Sequence, residues 1–122
     1  MAVRGLGCPV ALRLTGGHKG DAPQAAALVQ GQRAQIVLAD AAYDADHFRE
    51  LIAAMTAIAV IPNNPSRAAK HSFDRELTKE RHLIECCFSK LKQFRRVATR
   101  YEKTARNYLA VVTLAATILW LR

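Results

Sequence analysis

Acid is what this chain is short of: ten Asp and Glu stand against eighteen Lys and Arg, a formal net charge of +8. An excess of that size points to a polyanionic partner, nucleic acid first and an anionic membrane surface second. Cysteine is also scarce. The three, Cys8, Cys86 and Cys87, have no metal-ligand spacing. On a helix, the adjacent Cys86 and Cys87 side chains point about 100° apart, so they cannot easily bond each other. Without a disulfide framework the chain reads as intracellular and reduced. The N-terminal "MAVRGLGCPV" lacks the apolar core of a signal peptide. The C-terminal "YLAVVTLAATILWL" spans about 14 residues, short of the roughly 20 that cross a bilayer, and is expected to be a buried helix. No internal repeat is visible. What is there suits one globular domain or a piece of one: 122 residues, 51% of them hydrophobic. The expectation is a soluble cytoplasmic protein with no membrane partner.

Along the chain, "PVALRLTGG" (9–17) alternates Val10, Leu12 and Leu14 with Arg13 and Thr15, a strand pattern ending in a glycine turn. "GDAPQAAALVQG" follows as a short helix, capped by Asp21 and stopped by Gly31. "QIVLAD" is a continuous apolar run of the kind that fills a parallel sheet buried on both faces. A helix "DADHFRELIAAM" opened by Asp44 and a second apolar strand "AIAVIP" complete a strand–helix–strand crossover, expected to be right-handed. Residues 62–72 form a polar, proline-punctuated loop expected to be mobile. Residues 73–98 keep a helical pattern, with Leu83, Cys87, Leu91 and Phe94 on one buried arc. A last helix occupies 104–122. The fold class is α/β, ending in two long helices.

Two of the few acids stand out by position. Asp40 ends a parallel strand, and ligands of open α/β sheets gather at the carboxyl ends of strands. Glu85 shares a stripe of the long helix with Arg81, Phe88 and Lys92, away from the buried arc. That stripe can set a carboxylate on a metal and cations on phosphates. It can equally be a solvated Arg81–Glu85 pair worth a few tenths of a kcal/mol. The other acids have local uses: Asp44 as a helix cap, Asp46 in a first turn, Asp74 as a cap of the long helix. The four histidines share no metal spacing, and Tyr43 is expected to be a packing residue. Lys90, Lys92, Arg95, Arg96, Arg100, Lys103 and Arg106 crowd a short stretch holding one acid, Glu102, which points to nucleic acid rather than solubility.

"LADAAYDAD" followed by "KERHLIECCFSKLKQFRRVATRYEKTARNYLA" resembles the C-terminal part of the DDE transposases of bacterial insertion sequences, specifically the insertion-sequence five group. The likeness runs from about "GCPVALRLTGG" to "ILWLR". In that family a Tyr, an Arg, the catalytic Glu and a Lys recur on the last catalytic helix with two, three and six residues between them; Arg81, Glu85 and Lys92 fit. The resemblance implies a ribonuclease H-like fold. It makes Asp40 and Glu85 the second and third catalytic acids, holding Mg²⁺ or Mn²⁺ only where the missing first Asp completes the site, and sets Arg81 and Lys92 on insertion-sequence DNA ends. Lys90, Arg95, Arg96 and Arg100 would add to the DNA grip. It also implies a bacterial cytoplasmic location and assembly with other transposase copies.

The sequence departs from the family at three places. Thr78 stands where the family has Tyr. Ala41 and Ala42 replace a basic residue and a glycine, removing a cation and some backbone freedom. The first catalytic Asp, on a strand expected upstream of "CPVALRL", is not in the sequence, and Asp21 in its turn is no substitute. The fold is therefore expected to be incomplete, without its first, central strand, and "QIVLAD" to show an unpaired edge. The chain is expected to fold marginally, and to be inactive unless a complementing N-terminal segment supplies that strand. The alternative is a non-catalytic basic DNA-binding remnant, or an inhibitor of an intact transposase.

Overall fold

Val3 and Leu12 find their partners far away in sequence, against a core of Cys87, Leu91, Val97, Ala115 and Ala116. In this computed structural model, which describes residues 1–5, 7–16, 19–99 and 103–122, the chain forms two units. One joins Met1–Lys19 to His82–Arg122; the other is Gly20–Arg81.

The first unit opens with a hairpin. Strand β1 (Ala2–Val3) runs antiparallel to β2 (Pro9–Ala11). Gly7 turns the chain between them at φ +78, a conformation that a side chain resists. The strand expected over 9–17 is thus only three residues long. The C-terminal end of the chain holds the hairpin: Trp120 Nε1 donates to the Pro9 carbonyl at 2.6 Å, and Arg4 lies 5.4 Å from the Trp120 ring.

Gly20–Arg81 carries the crossover. Its elements are a 3-10 turn (Ala22–Gln24), α1 (Ala25–Val29), β3 (Ile36–Leu38), a second 3-10 turn (Ala41–Tyr43), α2 (Asp46–Ala54), β4 (Ile58–Val60), α3 (Arg75–Thr78) and a third 3-10 turn (Lys79–Arg81). Gly31 follows α1 at φ +77, the expected stop. Strands β3 and β4 pair in parallel, Val37 opposite Ala59, and among the described residues they pair only with each other. Burial on both faces does not hold: Ile36 and Ile58, directly opposite, are 39% and 65% exposed, whereas Val60 and Ile61 are buried. Phe48 and Ile52, one turn apart on α2, bury against Ala25 and Ile61. Tyr43 packs at the margin of this core, 6.3 Å from the Phe48 ring, as expected.

The helix expected over 73–98 is divided. Asp74 does cap it, accepting from the Glu76 and Leu77 amides, but α3 gives way to the 3-10 turn before α4 (His82–Lys92) begins. A second break precedes α5 (Arg95–Thr99), where Gln93 and Phe94 donate three residues back, to Lys90 and Leu91, and so tighten the final turn. The expected arc survives the break: Cys87 and Leu91 are buried and Phe94 packs beside them. Helix α6 (Ala105–Leu121) starts at Thr104, whose hydroxyl accepts from the Asn107 amide. It is not a buried helix. Ala115 and Ala116 face the core, while Leu114 and Leu121 are 63% and 82% exposed. No helix among the described residues is long and apolar enough to cross a membrane.

Candidate active site and nucleic-acid interface

Asp40 sits where the apolar run predicts, two residues beyond β3. Its backbone is extended, and Oδ1 accepts the Ala42 amide at 3.0 Å, so Asp40 caps the turn that follows. Ala41 and Ala42 form that turn at ordinary negative φ; among the described non-glycine residues only Thr56 has a positive one. The alanines therefore cost no backbone strain here, and what this segment lacks relative to the family pattern is the cation. Arg81 lies 3.8 Å from Asp40 Oδ2, with both side chains near half exposed. That distance and exposure make a loose pair worth less than about 1 kcal/mol. Sequence spacing linked Arg81 to Glu85 and gave no hint of this neighbour. Burial raises the Tyr43 phenol pKa, and the charges of Asp21 and Asp40 raise it further, keeping the phenol protonated.

The turn is held from behind by Asp44. Sequence reading makes Asp44 a helix cap; in the structure α2 starts from Ala45 with no side-chain cap. The Asp44 side chain is instead fully buried and takes three donors: Arg49 Nε at 2.7 Å, Arg67 Nε at 2.8 Å and the Asn64 amide at 2.6 Å. Burial opposes its ionisation, but the bonds from Arg67, Asn64 and Arg49 outweigh that and hold the carboxyl well below the usual carboxylate range. Arg49 also reaches the Ile61 carbonyl at 2.9 Å, and Arg67 reaches Asp46 at 2.7 Å. Asn63 and His71 exchange two further bonds. The loop over 62–72, expected to be mobile, is cross-linked to α2 through these contacts.

Glu85 lies on the exposed side of α4, as do Phe88, Lys90 and Lys92. Arg95 and Arg96 are exposed on α5; Arg100 lies outside the described residues. Thr78 is occupied otherwise, its hydroxyl donating to the Asp74 carbonyl at 3.0 Å. Asp40 and Arg81 belong to Gly20–Arg81, and Glu85 with Lys90, Lys92, Arg95 and Arg96 to the other unit. Charge divides the same way. Gly20–Arg81 holds seven Lys/Arg and eight acids, a net of −1, while the unit with Glu85 holds eleven Lys/Arg and two acids, a net of +9. Among the described residues no three His, Cys, Asp or Glu side chains are grouped so that they could hold a metal ion.

A model of the transposase DDE domain matches residues 1–120. The chain belongs to the transposase DDE domain family. A curated relative from Brucella ovis, named "Putative transposase for insertion sequence element IS6501", is 48% identical over 122 residues, 98% of this chain and 94% of its own length. No solved structure matches significantly. The transposase resemblance drawn from "LADAAYDAD" and the Arg81–Glu85–Lys92 spacing is thus shown at the level of the family. The ribonuclease H-like topology goes further than the mixed α/β structure with its two short sheets.

Proposed function

We propose that this DDE transposase chain contributes two carboxylates, Asp40 and Glu85, and a cationic surface to the cleavage and joining of insertion-sequence DNA ends. The observation that carries the reading is Asp40: a partly exposed carboxylate at the carboxyl end of a parallel strand, its position fixed by the Ala42 amide. Its donor set suits a hard divalent cation. Mg²⁺ takes oxygen ligands and commonly settles for one or two carboxylates plus water and substrate phosphates. Asp40 Oδ1 is engaged by an amide, and among the described residues Oδ2 is paired only with Arg81, loosely, so an ion can displace a contact of little worth. Bound there, such an ion supplies phosphoryl polarisation and activation of an attacking hydroxyl.

The chain's own residues do the rest. Arg81 and Lys92 take DNA phosphates near the acids and offset their charge. Lys90, Arg95, Arg96 and Arg100 grip the backbone without reading bases. The family pattern calls for one more acid, its first catalytic Asp, on a further strand, so strand cleavage is assigned to an assembly in which a complementing segment or an intact transposase supplies it. Purified alone, the chain is expected to bind DNA ends without cutting them; Mg²⁺-dependent cutting by the isolated chain would contradict this.

A second reading, a basic DNA-binding remnant or inhibitor without chemistry, draws on the net +9 of one unit. Both readings require salt-sensitive DNA binding. Only the first requires Mg²⁺ or Mn²⁺ binding that falls in an Asp40→Ala, Glu85→Ala double variant, and calorimetric titration of the metal separates them.

A further inference from the structure

The loop over 62–72 has no part in the proposed chemistry, yet its polar groups are bonded in detail. Ser66 donates its amide and its hydroxyl to Asn64 Oδ1 at 3.0 and 2.7 Å, and the Arg67 amide donates to the Asn64 carbonyl at 2.9 Å. The Asn63 side chain and the His71 backbone exchange bonds at 2.6 and 2.7 Å, closing the loop on itself. Ordering a loop in this way costs conformational entropy, which calls for something in return. What the loop holds is Arg67. Its side chain is only 13% exposed and reaches inward, Nε 2.8 Å from Asp44 Oδ2 and Nη1 2.7 Å from Asp46 Oδ1. The same Nη1 lies 3.2 Å from His71 Nε2.

Asp44 is the far end of the turn that Asp40 opens. The Tyr43 amide donates to the Asp40 carbonyl at 3.0 Å and the Asp44 amide to the Ala41 carbonyl at 3.2 Å, so residues 40–44 form one hydrogen-bonded piece. On the strand side this piece is tied by the Ala39 amide to the Val60 carbonyl at 3.3 Å. On the other side Tyr43 packs beside Phe48, an apolar contact without direction that tolerates a slide. Direction comes from the Asp44 carboxylate and its three short bonds, to Arg49, Arg67 and the Asn64 amide. Arg49 sits on α2 and also reaches the Ile61 carbonyl, so the crossover itself fixes it. Arg67 comes from outside the crossover, and its planar fork sets Asp44 against Asp46, the first residue of α2.

We propose that Arg67 is a positioning residue for Asp40: through Asp44 it fixes the far end of the turn, and so the aim of the Asp40 carboxylate at a divalent cation. The inference rests on the metal reading of Asp40. Arg67 meets no ion in this role, and the loop over 62–72 is the arm that carries it.

Two readouts on the full chain test it. Without metal, amide hydrogen exchange at Ala42, Tyr43 and Asp44 is compared by NMR with exchange at Ile52 on α2. The Ala42 amide is bonded to the Asp40 carboxylate and reports on its placement. With metal, Mn²⁺ is titrated and followed by paramagnetic resonance. Arg67→Met is expected to speed exchange at the turn amides at least about tenfold more than at Ile52. It is expected to weaken Mn²⁺ binding about tenfold, the low end for residues that act behind a ligand. Arg67→Lys keeps a charge beside Asp44 but cannot bridge to Asp46, and should recover most of the melting temperature and little of the Mn²⁺ affinity. A residue that only stabilises the fold moves the two together. Asp46→Asn, at a carboxyl 75% exposed, is expected to give a smaller loss in the same direction, and carries the comparison should Arg67→Met not fold. Turn exchange and Mn²⁺ affinity unchanged in these variants overturn the proposal, as does Mn²⁺ affinity recovered by Arg67→Lys in step with the melting temperature. Mn²⁺ binding equal in the native chain and Asp40→Asn removes the metal reading and this inference with it. Binding that falls in Asp40→Asn but is unmoved by the Arg67 and Asp46 variants removes this inference alone.

Discussion

The two units hold their acids by different means. In Gly20–Arg81, which is nearly neutral, Asp40 is placed by backbone: a strand end, a capped turn, and behind it a buried carboxylate with two arginines and an amide. In the other unit, Glu85 is placed by helix phase alone, on the side of α4 opposite Cys87 and Leu91, among cations at its surface. Both units have an apolar core, but only around Asp40 does a buried carboxylate with two arginines stand behind the acid. Within Gly20–Arg81, Asp44 and Asp46 are paired with Arg49 and Arg67, and apart from Arg81 the cations proposed to meet phosphate belong to the other unit.

That comparison can be broken most visibly at the DNA. Replacing Lys90, Lys92, Arg95 and Arg96 by Ala is expected to weaken DNA binding by about 100-fold or more at low salt and to flatten its salt dependence. Replacing Arg33, Lys70, Arg75 and Lys79 is expected to change it little. Fluorescence anisotropy across a salt series reads both, and equal losses from the two sets would remove the division of labour.

Next in size are the effects on stability. Asp44→Ala leaves two arginines facing a buried void and is expected to cost about 3 kcal/mol or more, measured by urea denaturation. Leu91→Ala is expected to cost about 2–4 kcal/mol through a cavity in the other core. Native-state hydrogen exchange then locates each loss, and the Asp44→Ala loss should lie in residues 20–81.

The same cluster predicts an acid limb. The folded pKa of Asp44 is depressed, so its stabilisation is complete above the unfolded carboxyl value near pH 4. It fades as pH falls below that value, and is gone once pH passes the folded one. Denaturation followed from pH 5 downward should show this decline in the native chain and a shallower one in Asp44→Asn.

The smallest predicted effect sharpens the picture at the end of α2. Thr56 occupies the left-handed position after the helix at φ 57, with the Thr56 and Ala57 amides closing back on Ala53 and Ile52. A β-branched residue is strained there, and Thr56→Gly is expected to gain up to about 1 kcal/mol despite the entropy of glycine.

What could be read from sequence follows how far each cause reaches along the chain. Asp40 was legible because an apolar run followed by an acid is a local pattern, and the Leu83–Cys87–Leu91–Phe94 arc because helical phase is local too. Asp44 was not. Its short-range signature is that of a cap, and its partner Arg67 lies 23 positions away in a loop that composition marks only as polar. The break before α5 has no Gly or Pro to announce it, and Phe94 keeps the phase of the arc across it. The two-residue β1 is too short to carry a period. The exposed face of α6 was hidden by composition, since a nearly unbroken apolar run gives no hint of which side meets water. Of the candidate site, the two acids and the cations were named from sequence, and the Arg81–Asp40 approach came only with the fold.

The central claim is that Asp40 and Glu85 are metal-holding carboxylates rather than surface acids, and paramagnetic resonance of Mn²⁺ titrated into the chain tests it most directly. The account predicts Mn²⁺ bound by the native chain and weakened separately by Asp40→Asn and by Glu85→Gln, with Glu50→Gln as an unaffected control. Mn²⁺ binding equal in all four proteins would contradict it.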